Sequence, residues 1–266
     1  MITLQHTLIS YLYYHTKPKK TFFEDIPYIL LPDAIRYYTK NRQSSHFEIA
    51  KNQEISWLKY PLDLKDEQLI KGVKGHKDVM QHIVGERYIP KCVIGEETIL
   101  ASFENTNQHL PTNYFNGVRY HLIQDRVFDK FIRNVFDCSK MYEDIFNYKG
   151  KTYNGVEFRK LINDIEQQGV LVLSKYMWER YNITTNQEWF DVNIYPQLKK
   201  IYSEKMAENT YKYMKIDKDI NNRITNHNFD NVNYIVPYDV LDYMYKQTII
   251  AMYIEGENYN DDTTTN

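Results

Sequence analysis

Apolar and polar positions alternate most regularly between Thr112 and Phe136, in TNYFNGVRYHLIQDRVFDKFIRNVF. Phe115, Val118, Leu122, Phe128, Phe131, Ile132 and Val135 recur at three- and four-residue intervals, which predicts a long helix with one broad buried face. Shorter runs of the same spacing predict a helix over residues 2–15, through Leu4, Leu8, Ile9 and Leu12, and another from Pro32 to about Lys40. Proline suits a helix start because its missing N–H would have no partner there. Asp33 follows in the first turn, where a carboxylate meets free amides and the positive end of the dipole. Helical patches between Leu64 and Arg87 are interrupted by Gly72, Gly75 and Gly85, and a short helix is expected over 97–105.

Beyond the central helix, YKGKTYNG at 148–155 reads as a turn or short hairpin. Helices are expected over 156–168, 169–181 and 188–214, the last bent or restarted at Pro196. An Asn-rich polar linker spans 217–233, and a final helix spans 236–254. No repeat and no series of strands is visible. The expected class is therefore mainly α, a multi-helix bundle with a metal site between core helices. The expected organisation is one helical domain over 1–256, with a metal-binding core in 1–150 and a helical extension in 151–256. The polar end, 257–266, is expected to be disordered.

The chain has 266 residues, enough to bury a sizeable core. Its 33 basic and 35 acidic residues leave a net charge of −2, so no global field favours nucleic acid or an anionic membrane. The 25 tyrosines describe a core rim and wet surface, since the ring packs while the hydroxyl stays hydrated. Two cysteines, Cys92 and Cys138, make no disulfide framework and fit a reducing compartment. The first residues lack a basic leader and a cleavage pattern, and no apolar run reaches membrane-span length. These features predict a soluble, cytoplasmic protein with no membrane partner; they are silent on oligomeric state.

Within the central helix, His121 and Asp125 lie one turn apart on or beside the apolar face. A buried imidazole and carboxylate must be satisfied, by a private hydrogen bond or by a shared metal ion. His6 falls between apolar positions of the first helix, and His46 follows a polar break after the Asp33 helix, on chain long enough to fold back. The other histidines read differently: His76 and His82, six apart, point to different sides of a helix, and His227 lies in the polar linker. His109 sits in a loop near the start of the central helix. Together His6, Asp33, His46, His121 and Asp125 are the imidazole and carboxylate groups that Zn²⁺ accepts. Set on separate helices, they are the set a multi-helix cage requires.

In the order and spacing of these residues the chain resembles the superfamily of zinc-dependent phospholipases C and single-strand nucleases, mainly helical phosphodiesterases. The matching residues are His6 in QHTLI, Asp33 in LPDAIR, His46 in SSHFE, and His121 with Asp125 in RYHLIQDRVFD, so the resemblance covers roughly residues 1–136. It implies that Asp33, His46, His121 and Asp125 hold one ion, and that Asp125 bridges to a second ion also bound by His6. The chain departs from the family at Phe131, where the family has histidine. It has no histidine between Phe131 and Gly155 to complete a further site, and no N-terminal Trp.

The function expected on these grounds is a metal-dependent phosphoesterase using one or two Zn²⁺ (or Mn²⁺) ions. Its substrate would be a small intracellular phosphodiester such as a nucleotide or cyclic nucleotide. Asp125, Arg36 and His109 are the candidate catalytic residues: Arg36, with Arg42, to grip phosphate through forked hydrogen bonds, and His109 as a further ligand or general acid. Arg119 and Arg126 flank the His–Asp pair and are expected to point outward. The alternative is a non-catalytic helical protein that keeps a degenerate structural metal site and binds a protein or small-molecule partner.

Overall fold

A computed structural model describes residues 1–15, 22–39, 60–66, 96–136 and 145–262. In these the fold is mainly α, as the apolar spacing predicts, with one two-stranded antiparallel hairpin. Helices α1 (Thr3–His15), α2 (Phe22–Ile29) and α3 (Leu31–Thr39) come first, then α4 (Glu96–Thr106) and α5 (Thr112–Phe136). The hairpin of β1 (Ile145–Tyr148) and β2 (Lys151–Asn154) leads into α6 (Gly155–Tyr181). Four short helices follow: α7 (Gln187–Asn193), α8 (Tyr195–Ile201), α9 (Glu204–Lys212) and α10 (Lys218–Thr225). Helix α11 (Tyr238–Asp262) closes the described chain.

Helix α5 is the axis of the packing. It contacts α2, α11, α4, α1 and α3, and its N-terminal half is buried on all sides, every residue from Tyr114 to Asp125. Past Asp125 only Phe128, Ile132 and Phe136 are buried, a single stripe. A helix enclosed on all sides must find partners for its polar side chains. Arg119, expected to face outward, instead lies buried, donating from Nε to Glu104 on α4 at 2.6 Å and from Nη1 to the Glu255 carbonyl on α11. Arg126 pairs with the Glu255 carboxylate.

Two glycines permit close helix approach. A Cβ at Gly117 on α5 would stand 2.6 Å from Tyr28 Cβ and 3.0 Å from the Ile29 amide nitrogen, so the bare glycine lets α2 lie directly on α5. Gly169 was expected to divide two helices; α6 runs through it unbroken. A Cβ there would lie 1.7 Å from the Tyr245 hydroxyl and 2.3 Å from Gln5 Nε2, and that space holds the Gln5–Tyr245 hydrogen bond at 2.5 Å.

The single helix expected over 188–214 is three. Proline at the second residue of α8 starts a new helix, and Ser203 caps α9 by accepting from the Met206 amide at 3.3 Å. The linker contains α10, started by Asp217, whose carboxylate accepts from the Asp219 and Ile220 amides. The hairpin turns through Lys149 and Gly150, both at positive φ, as a two-residue hairpin loop requires. Helix α11 extends to Asp262, into the stretch expected to be disordered. One hydrophobic core runs from Met1 to Met252. No helix among the described residues is long and apolar enough to cross a membrane.

Candidate metal centre

Helices α1, α3 and α5 bring His6, Asp33 and His121 together at the heart of the bundle. One ligand atom from each lies within 4.8 Å of the other two, and all three residues are buried. Asp125 completes the group, with Oδ1 3.3 Å from His6 Nε2 and Oδ2 3.7 Å from His121 Nε2. Each carboxylate oxygen thus faces one imidazole. The two rings stack, with centroids 3.8 Å apart and planes 19° from parallel.

The outer nitrogens of both rings are engaged. His121 Nδ1 donates to the Ile29 carbonyl at 2.8 Å. Ile29 is the last residue of α2, and the final carbonyls of a helix lack intrahelical partners. His6 Nδ1 meets Gln124 Oε1 at 2.9 Å, while the Gln124 amide nitrogen donates to Ser10 Oγ at 2.8 Å. A neutral imidazole that donates from Nδ1 carries its lone pair on Nε2. In neutral rings of that tautomer the Nε2 lone pairs would face the carboxylates; His6 Nε2 is buried without a hydrogen bond.

Asp33 Oδ2 accepts from Thr3 Oγ1 at 2.8 Å, and Thr3 Oγ1 lies 3.0 Å from the Tyr37 hydroxyl. Arg36 Nη1, on a part-exposed side chain, stands 3.6 Å from Asp33 Oδ1. The Met1 ammonium donates to Asp125 Oδ1 at 2.9 Å and lies 3.5 Å from Glu166 Oε1. Burial pushes the Glu166 carboxyl up; the Met1 ammonium pulls it down less than burial raises it, and Asp125 adds to the rise. Tyr60 and Tyr202 stay neutral, because burial first and the Asp33 carboxylate second push their hydroxyls well above the ordinary value.

Asp33 thus meets a guanidinium and Asp125 an ammonium that Glu166 shares, so the two aspartates alone do not demand an ion. Two imidazoliums 3.8 Å apart would repel by about 4 kcal/mol at an effective dielectric of ~20, so the stack disfavours charge on both rings at once. Two neutral Nε2 donors with carboxylate oxygens form a set that a borderline divalent ion accepts. The His6, Asp33 and His121 group could hold a metal ion. Bonds of about 2.0–2.1 Å set tetrahedral ligands about 3.4 Å apart, so a spread of up to 4.8 Å must contract and the stacked rings must tilt.

Of the residues singled out in the sequence, His6, Asp33, His121 and Asp125 converge and Arg36 borders them. His46 and Arg42 lie outside the described residues, as do His76 and His82. His109 is exposed, with Nε2 3.0 Å from the Tyr60 carbonyl, and is not a member of the group. His227, expected to be solvent-facing, is exposed and stacks on Trp178 at 3.5 Å. Gln124, Thr3, Glu166 and the Met1 amine were not anticipated. The helical spacing does put Gln124 beside His121 and Asp125, and a Ser10–His6 pair lies one turn apart on α1.

Comparison with protein-family models, with curated proteins and with solved structures finds no match. The class that fold and site define is a mainly α bundle with a buried His/Asp group able to hold a metal ion.

Proposed function

We propose that the protein is a metal-dependent phosphoesterase of the phosphodiesterase type, in which His6, Asp33, His121 and Asp125 hold one or two Zn²⁺ or Mn²⁺ ions. The observation that supports this reading is the Asp125 carboxylate with one imidazole Nε2 against each of its oxygens, at 3.3 and 3.7 Å. A carboxylate so flanked is the arrangement the resemblance implies for a ligand bridging two ions. Such an ion supplies Lewis acidity toward a phosphoryl oxygen and lowers the pKa of water. The chain's own residues do the rest. Asp33 and Asp125 hold charge inside the bundle, and Arg36, 3.6 Å from Asp33 with a side chain 37% exposed, offers a guanidinium to a phosphate arriving from solvent. The substrate class is a small phosphodiester such as a nucleotide or cyclic nucleotide.

The burial of the group favours a second reading. His6, Asp33 and His121 are 0% exposed and Asp125 6%, and structural metal sites are closed whereas catalytic ones keep an open position. A non-catalytic protein with a structural ion, acting through a bound partner, fits that closure. Elemental analysis of purified protein tests the ion common to both readings. Turnover of a chromogenic phosphodiester, abolished by a chelator and restored by Zn²⁺ or Mn²⁺, is expected of the enzyme. A fully loaded protein without turnover would leave the structural reading.

A further inference from the structure

The geometry points to Gln124 as a positioning residue that decides whether His6 binds an ion or merely hydrogen-bonds to Asp125; this inference rests on the metal-centre reading. His6 Nε2 lies 3.3 Å from Asp125 Oδ1, close enough for a proton on Nε2 to complete a private His–Asp hydrogen bond and cap the ligand nitrogen. Gln124 opposes that outcome. Its carbonyl, 2.9 Å from His6 Nδ1, accepts the ring's proton there. The Gln124 amide nitrogen donates to Ser10 Oγ at 2.8 Å, with the carbonyl turned toward the imidazole. All of these atoms are buried, so a proton moved to Nε2 would leave Nδ1 and the amide oxygen opposed with no hydrogen between them. The Ile29 carbonyl does the same for His121 from the other side.

Outer partners of this kind fix the tautomer and orientation of a ligating histidine. An amide does so without adding a third negative charge to the two carboxylates. Residue 124 is also the neighbour of Asp125 on α5, so one helix supplies both the carboxylate and the device that keeps the facing nitrogen unprotonated.

Two measurements test the inference. Nitrogen-15 spectra of the histidine side chains in metal-free wild-type protein read the proton's position. His6 is expected to carry its proton on Nδ1, facing Gln124, and none on Nε2. A neutral His6 protonated on Nε2 overturns the proposal. In the second, Zn²⁺ affinity is measured by competition with a chromophoric chelator, with melting temperature recorded alongside. Gln124→Leu is expected to weaken binding about 10- to 100-fold, and Gln124→Glu, which keeps an acceptor, to stay within about threefold of wild type. Equal affinity in wild type and Gln124→Leu, or equal weakening in both variants, overturns it. The spectra decide alone if Gln124→Leu does not fold. They stand even if the wild-type protein takes up no Zn²⁺, which would defeat the metal-centre reading and leave the tautomer assignment to be judged on its own.

Discussion

Asp125 is the residue on which the buried group turns, because it faces two imidazoles and the Met1 ammonium at once. Replacing it with asparagine keeps the shape and removes the charge. Asp125→Asn is expected to abolish Zn²⁺ retention and any phosphodiesterase activity. It also leaves the buried Met1 ammonium with Glu166 as its one charged partner, and breaking a buried pair costs up to about 3–5 kcal/mol. Urea unfolding of metal-free wild type and variant checks this, and equal stability would remove Asp125 from its central role.

Glu166 gives the pH dependence. Its folded-state value is raised above the ordinary 4.5 by burial. A group shifted upward contributes stability that is complete below its unfolded value and is lost as pH rises through the folded one. Metal-free Glu166→Gln is therefore expected to gain on wild type as pH rises from 4 toward 8, relative to their difference at pH 4. Unfolding curves whose difference does not change with pH would contradict this.

His6, His121 and Asp125 were legible because ligand-type side chains on or beside an apolar face are visible in helical spacing, whereas Asp33 read as a first-turn carboxylate and joined them through the order and spacing of the resemblance. Gln124 and Glu166 were not. An amide beside an ion-binding pair reads as an ordinary polar helix residue until the His6 ring is seen against it. Glu166 lies on a helix whose register against α1 nothing in the sequence specifies.

At the scale of elements, the site depends on how closely α2 approaches α5. Gly117 permits that approach, and one turn later His121 reaches the Ile29 carbonyl. Gly117→Ala puts a methyl 2.6 Å from Tyr28 Cβ and 3.0 Å from the Ile29 nitrogen. Helix propensity returns about 1 kcal/mol, while forcing atoms into a packed core costs about 1–3 kcal/mol. The variant is expected to lose stability overall and to bind Zn²⁺ more weakly, as the carbonyl withdraws from His121 Nδ1. Denaturation and chelator competition measure both losses, and wild-type values for the two would show that the contact is not limiting.

Helices α1 and α5 were legible to within a residue or two. The failures have separate causes. Gly169 signals a break only in an isolated helix; here it makes room for Tyr245 and Gln5. Helix α10 has a single buried residue, Ile224, so its apolar pattern is faint, and the Asp217 cap was the signal to read.

For the whole molecule, the consequence is that one small group ties together helices distant in sequence. Residues from α1, α3 and α5 supply the candidate ligands, and Glu166 brings α6 to the same point through the Met1 amine. An ion held there cannot persist once any of these helices separates, so it binds the folded chain and not the unfolded one. Free Zn²⁺ at 100 times the dissociation constant then stabilises the fold by about 2.7 kcal/mol. At roughly 2–4 °C per kcal/mol for a chain of this size, the melting temperature is expected to rise by about 5–10 °C over the chelator-treated protein. Because the ligands belong to the one core, the shift should appear in the single main transition and grow with the logarithm of free metal. Binding that survives unfolding, at ligands close together in the sequence, would instead leave the transition nearly unmoved while the protein still carried zinc. A melting temperature indifferent to saturating Zn²⁺ and Mn²⁺ would mean that the His6–His121 stack, the two carboxylates and their two cations form a self-sufficient polar core. Phosphoester chemistry would then have no foothold at this point in the bundle.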